Sequence, residues 1–217
     1  MDTALKPIKQ KRSIIHAHLD AGCVSESNFK NVFYTIIGKF SPSKSTHSPL
    51  VLKASWINTR LGPMIAISDD NSLYLLEFSD RRGLEKRIKR LCNRKKAAII
   101  HGYTNPISMI KKELELYFSG KLKLFKTPLH LIGSDFQKKA WNTLLQIPYG
   151  QTRSYKNQAE IIGNKQAFRA VANANGANQL AIIIPCHRII NSNGKLGGYG
   201  GRKARKEWML KHEKSYV

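Results

Sequence analysis

The residues best suited to chemistry lie in "AIIIPCHRII", residues 181–190. An apolar run meets Pro185, and Cys186, His187 and Arg188 follow. Proline lacks an amide donor and fixes its own φ, so it ends a regular strand and leaves Cys186 at a break where a side chain can be presented. A thiol reacts as its thiolate, which nearby cations stabilise. His187 is the candidate base. Neighbours on an extended chain point to opposite sides, so contact between Cys186 and His187 calls for a bridging water. A histidine in that role needs a carboxylate to hold its tautomer, and the only acids after Cys186 are Glu207 and Glu213. Local chemistry alone leaves three readings open: a nucleophile, a Cys–His hydrolase pair, or a buried structural thiol.

The rest of the chain must position this segment. Its 217 residues suffice for one large domain or two small ones. Lys and Arg number 37 against 14 Asp and Glu, a net charge of +23. Such an excess points to a polyanionic partner, nucleic acid foremost, because neutralised phosphates release counterions. Cys23, Cys92 and Cys186 form neither a disulfide framework nor a metal-ligand spacing. The expectation is a reducing, cytoplasmic setting without a metal. Neither a signal peptide nor a membrane-spanning apolar run is visible in the sequence.

Residues 13–37 read as two short helices about Gly22, the second capped by Ser25 and carrying Phe29, Phe33 and Ile37 on one face. Residues 38–50, rich in Ser, Pro and Gly, read as a linker. "LVLKASWI", "PMIAIS" and "SLYLLEF" are strand candidates, with a turn at 69–72. A basic helix over 81–96 places Leu84, Ile88, Leu91 and Cys92 on a packed face, and another helix covers 106–119. The helix starting at Ser134 carries Phe136, Trp141, Leu144 and Leu145 inward. Residues 154–164 and 165–176 form a helix–turn–helix, with Arg169 among small alanines on its second member. "LAIIIPCHRII" then reads as a buried strand-like run and 191–201 as a glycine-rich loop. A terminal helix over 205–214 packs through Trp208 and Leu210.

"FQKKAWNTLLQIPYGQTRSYKNQAEIIGNKQAFRAVANANGANQLAIIIPCHRII", followed by "NGKLGGYGGRKARKEWMLKHE", resembles the O6-alkylguanine-DNA alkyltransferases (methylated-DNA–protein-cysteine methyltransferases). The likeness spans about 50–215 and is most specific over 134–213. It implies an α+β fold: a small N-terminal ribonuclease H-like α/β domain over 49–126 and a mostly helical, winged-helix-like catalytic DNA-binding domain over 127–217. It further implies a monomer without cofactor or membrane. Such a protein binds duplex DNA through the minor groove, flips the damaged guanine, and transfers its O6-alkyl group irreversibly to Cys186. O4-methylthymine is a further implied substrate. O6-alkylation weakens pairing, so extrusion of that base is easier than for an intact guanine.

By position, the resemblance makes Arg169 the finger that fills the vacated stack, with Ala170 and Ala174 along the same DNA-facing helix. Tyr155 would crowd the phosphate and help protonate guanine at N3. Asn178 would be a structural hinge, and Glu213, His187, a water and Cys186 a proton relay. Tyr199, the Gly200 amide, the Cys186 and Ile189 carbonyls and Asn175 would line the guanine pocket. Departures from the family pattern are Gln179 where many relatives have proline, Gly200 where serine is common, and Asn175 where apolar residues are common.

Within 1–48, "IIHAHLDAGCVSESNFKNVFYTIIGKFSPSKS" resembles the second helix-turn-helix of AraC-type regulators. It reads as a short helical appendage, a remnant that includes Cys23 in its turn. The competing function is an adaptive-response-type DNA-binding regulator in which alkylation is a signal. The missing first helix-turn-helix argues against it.

Overall fold

The computed structural model describes residues 26–41 and 50–217. The first helix of the AraC-like segment, Ser25, Cys23 and the side chain of Phe29 lie outside the described residues.

Helix α1 (Glu26–Gly38) precedes strands β1 (Leu50–Ile57), β2 (Met64–Ser68) and β3 (Leu73–Phe78). Helix α2 (Leu84–Lys95), strand β4 (Ala97–His101) and helix α3 (Asn105–Phe118) follow. The sheet order is β3-β2-β1-β4. The β1–β2 and β2–β3 pairs are antiparallel, whereas β4 returns parallel to β1 after α2. No reading of the sequence picked out β4. "AAII" is too short for periodicity to separate a strand from the end of the basic helix before it.

Both sheet faces are covered. Alternate residues of β2 divide between two cores: Met64 and Ala66 face one, Ile65 and Ile67 the other, as the twofold side-chain period requires. The second core is closed by Leu84, Ile88 and Leu91 of α2 and by Phe33, Ile36 and Ile37 of α1. Cys92 packs at its margin, only half-buried. The ring of Phe33 meets Trp56 at 5.2 Å and His101 at 5.9 Å. Part of the expected linker is structural too: the Phe40 carbonyl accepts from the Ile99 amide at 2.8 Å. The helix read as an appendage is thus built into the sheet layer. We expect Phe33→Leu to destabilise the protein by about 1 kcal/mol in urea unfolding, through lost burial and an imperfectly filled site. An unchanged midpoint would mean that α1 is not part of the cooperative core.

The C-terminal half is helical: α4 (Asp135–Leu145), α5 (Tyr155–Ile161), α6 (Phe168–Gly176) and α7 (Lys203–Ser215), with a two-residue parallel ribbon of β5 (Arg153–Ser154) and β6 (Ile189–Ile190). Helices α4 and α5 both open with capping boxes, Ser134 with Gln137 and Ser154 with Asn157. Each cap satisfies amides that the first turn leaves unpaired. Leu145, expected inside, is exposed, and Ala140, Trp141 and Leu144 form the buried face of α4. On α7 the inward residues are Lys206, Met209, His212 and Glu213, while Trp208 and Leu210 are only half-buried.

The strand-like reading of 180–184 is wrong. The Leu76 amide donates to Gln179 and the Ala181 amide to the Leu76 carbonyl, so one bridge docks this segment on the outer edge of β3. The chain then folds into turns rather than running on, with the Ile184 amide bonded to the Leu180 carbonyl and Ile182 at φ 72. Its apolar residues signal burial, and burial by itself does not dictate extended backbone.

Candidate active site

Cys186, His187 and Arg188 form one 3-10 turn directly after Pro185. The extended-chain argument for opposite orientations therefore does not apply. Even so, His187 turns into the protein and away from the cleft. Its Nε2 lies 2.7 Å from Glu213 Oε1, and its Nδ1 is buried without a protein partner. A carboxylate can only accept, so Nε2 carries the proton, and in the neutral ring Nδ1 is left as the basic atom.

Glu213 is the hub of a buried cluster. Arg188 donates to it through Nε at 2.8 Å and Nη2 at 3.1 Å, the Tyr117 hydroxyl at 3.0 Å and the Gly150 amide at 3.2 Å. Arg188 Nη1 is spent on the Ile147 carbonyl at 2.7 Å. Burial alone would raise the Glu213 carboxyl, but bonding and charge from His187 and Arg188 outweigh it and hold the group at about 2. Burial lowers His187 against the pull of Glu213, so the imidazole is neutral near pH 7. Arg188 and Tyr117 were not legible as site residues. The first read only as a basic neighbour of Cys186, and the second lies 96 residues from Glu213.

Cys186 is on the floor of a cleft of about 520 Å³, whose walls include Arg81, Tyr155, Arg169, Asn173, Tyr199 and Gly200. Asn178 Nδ2 donates to its sulfur at 3.3 Å and to the Ile184 carbonyl at 2.9 Å, while Asn178 Oδ1 accepts from the Leu180 amide at 2.9 Å. Burial pushes the thiol up. The Asn178 bond and the charges of Arg81 and Lys206 oppose that but do not reverse it. At rest the group is a thiol, so any role as a nucleophile would first require removal of its proton.

The structure brings Tyr155, Arg169, Asn175, Tyr199 and Gly200 to the cleft wall, but not every residue expected there. Ile189 is buried away from it, and its carbonyl is occupied by the Lys206 ammonium. Burial lowers that ammonium to about 8. Ala174 does not face the cleft either. With Val171 and Asn175 it lies on the buried side of α6, and its carbonyl accepts from Trp141 Nε1 at 2.8 Å. The helical period puts Arg169, Ala170 and Asn173 outward instead. Asn175 is held by Gln158, accepting at 3.3 Å and donating at 2.7 Å. Two residues of the α2 region complete the setting. Arg87 donates to the carbonyls of Gly176, Ala177 and Asn178 at 2.7–3.1 Å, and Arg81 donates to Gly176 at 2.8 Å. They satisfy the last carbonyls of α6, where cations are favoured.

Among the described residues no group of His, Cys, Asp or Glu could hold a metal, and no helix is long and apolar enough to cross a membrane.

By class, this is a mixed α+β protein with a cysteine thiol on the floor of a cleft walled by a helical hairpin, backed by a buried His–Glu–Arg cluster. Residues 135–215 match the family model for the DNA-binding domain of 6-O-methylguanine DNA methyltransferase. A methylated-DNA–protein-cysteine methyltransferase of Methanosarcina barkeri is 53% identical over 104 residues, 48% of this chain and 66% of that protein, just under two thirds of its length. Its namesake in Methanosarcina mazei is 42% identical over 65% of this chain and 90% of its own. The structure of Mycobacterium tuberculosis OGT in complex with DNA superposes with a TM-score of 0.65 at 38% identity, covering 77% of this chain and 95% of that one. The chain belongs to the methylated-DNA–protein-cysteine methyltransferase family.

Proposed function

We propose that this protein repairs DNA by direct reversal, moving a methyl or other alkyl group from O6 of guanine in duplex DNA, and from O4-methylthymine, onto Cys186 in one turnover. The observation that carries the reading is a thiol on the floor of a cleft, next in the chain to a buried histidine whose Nε2 is held by Glu213. The net charge of +23 suits a polyanionic partner. The transferase name of the relatives favours this reading over an alkylation-sensing regulator.

In the proposed mechanism Arg169 enters the stack and the alkylated base turns into the cleft beside Tyr155, Tyr199 and the Gly200 amide. Through one water, His187 Nδ1 takes the thiol proton while Glu213 stabilises the resulting imidazolium. The sulfur attacks the alkyl carbon. The S–C bond forms as the C–O6 bond breaks, and the electron pair goes to guanine. A proton returns to the base through the Tyr155 hydroxyl, so the thiol proton ends on guanine. Asn178 holds the active-site turn to the end of α6. A thioether has no leaving group that this site can activate, so each molecule acts once.

The finer architecture follows the same reading: the sheet layer over 49–126 as the ribonuclease H-like domain, and 127–217 as the winged-helix-like domain of a cytoplasmic monomer. Intact mass after incubation with duplex DNA carrying O6-methylguanine should rise by one methyl group per protein, on Cys186, with no gain in Cys186→Ser. No gain in the wild type under conditions where the duplex is bound would sink the proposal.

A further inference from the structure

Gly200 has a neighbour that its position in the sequence does not announce. A Cβ built on Gly200 would lie 2.1 Å from Arg81 Nη1 and 2.3 Å from both Cζ and Nη2. The guanidinium therefore fills the space that any side chain at 200 would take. It reaches the cleft wall from the loop after β3, more than a hundred residues away in the chain. Two anchors fix it there: Nε is 3.1 Å from the buried Glu77 carboxylate, and Nη2 donates to the Gly176 carbonyl at 2.8 Å. Among the described residues no protein acceptor takes Nη1, the nitrogen nearest Gly200. The arginine side chain is only 8% exposed, so an unspent, charged donor is held at the cleft in a fixed direction.

Resting on the transferase reading, we propose that Arg81 is a further catalytic residue, whose Nη1 donates a hydrogen bond to O6 of the flipped guanine as the alkyl group leaves. The sulfur must reach the carbon on O6, so O6 comes to lie near Cys186, and Arg81, Cys186 and Gly200 line one cleft, with the guanidinium against Gly200. When the C–O6 bond breaks, its electron pair accumulates on O6 and the adjoining ring. A pre-positioned cation stabilises that charge, whereas the neutral ether oxygen of the substrate gains less. Arg81 donates a hydrogen bond and not a proton, so the proton balance of the transfer is unaltered. The pairing also explains why glycine stands at 200. With a serine there, the hydroxyl and the guanidinium would compete for one volume, so each chain can use one donor or the other.

The test is a mutant cycle read by the rate of methyl transfer from an O6-methylguanine duplex at saturating protein. Arg81→Ala should slow transfer by about a hundredfold or more, the scale for loss of one charge-stabilising donor. Duplex affinity should stay within about twofold, and Cys186 alkylation by iodoacetamide should slow far less than transfer does, by no more than the thiol owes to the nearby Arg81 charge. Gly200→Ser should also slow transfer, because the guanidinium is displaced. The double variant Arg81→Ala/Gly200→Ser should be faster than either single one. Arg81→Lys keeps a charge beside Glu77 should the alanine variant fold poorly, and it should transfer at an intermediate rate. Transfer at the wild-type rate or faster in both Arg81 variants would overturn the proposal. Equal slowing of transfer and of iodoacetamide alkylation would also overturn it, by placing the effect on the thiol. Failure of the wild type itself to take up a methyl group is a separate outcome, which would remove the transferase reading instead.

Discussion

Glu213→Gln is expected to lower stability by about 3 kcal/mol near pH 7, the scale for removing one member of a buried ion cluster. The carboxylate accepts from His187, Arg188, Tyr117 and the Gly150 amide, all within 3.2 Å. A neutral amide has a single acceptor oxygen and leaves the Arg188 guanidinium buried without a counter-charge. The pH dependence gives the result its signature. Glu213 is held at about 2 in the folded protein against an ordinary 4.5. Its contribution is therefore complete above 4.5 and is lost as pH falls toward 2. Urea unfolding of wild type and variant should differ most near neutrality and converge at the acid end. A gap independent of pH would refute the ionic account. Transfer should fall about a hundredfold or more, because the glutamine no longer fixes which nitrogen of His187 carries the proton or stabilises the imidazolium.

Local rules carried the reading of this protein where the structure is itself local. The helix starts at Ser134 and Ser154 and the first three strands could be seen in the sequence because a cap or a turn involves residues a few positions apart; the capping-box partners Gln137 and Asn157 came with the structure. Cys186 and His187 stood out because Pro185 marks a break. Glu213 entered as one of two remaining acids, and only the family resemblance chose it over Glu207. Arg188, Tyr117, Arg81, Arg87 and Lys206 gave no local signal. Their roles come from partners far away in the chain: Arg87 meets Asn178 across 91 positions and Tyr117 meets Glu213 across 96. The same limit explains Ala174. "AFRAVANANG" shows small residues without showing which side of the helix faces the core. That became visible only once Trp141 and Gln158 were in place beside it.

The misread stretch 180–184 also shows why the cysteine needs Asn178. Ile182 is β-branched and sits at φ 72, a region that costs such a residue on the order of 1–3 kcal/mol. The strain persists only while the surrounding bonds leave no alternative. Asn178 supplies three of them, accepting from the Leu180 amide and donating to the Ile184 carbonyl and to the sulfur of Cys186. Asn178→Ala should therefore cost about 2–4 kcal/mol from buried groups left unpaired. It should also slow transfer beyond what the stability loss explains, because the turn that aims the sulfur can relax. Asn178→Asp separates the two effects. It still accepts from the Leu180 amide but cannot donate to Ile184, and its charge beside the sulfur raises the thiol further. Of the two, the aspartate variant should be the less stable near neutral pH, because its carboxylate is buried facing carbonyls, and the slower in transfer. Equal transfer rates for both would show that Asn178 acts on Cys186 only through the shape of the turn.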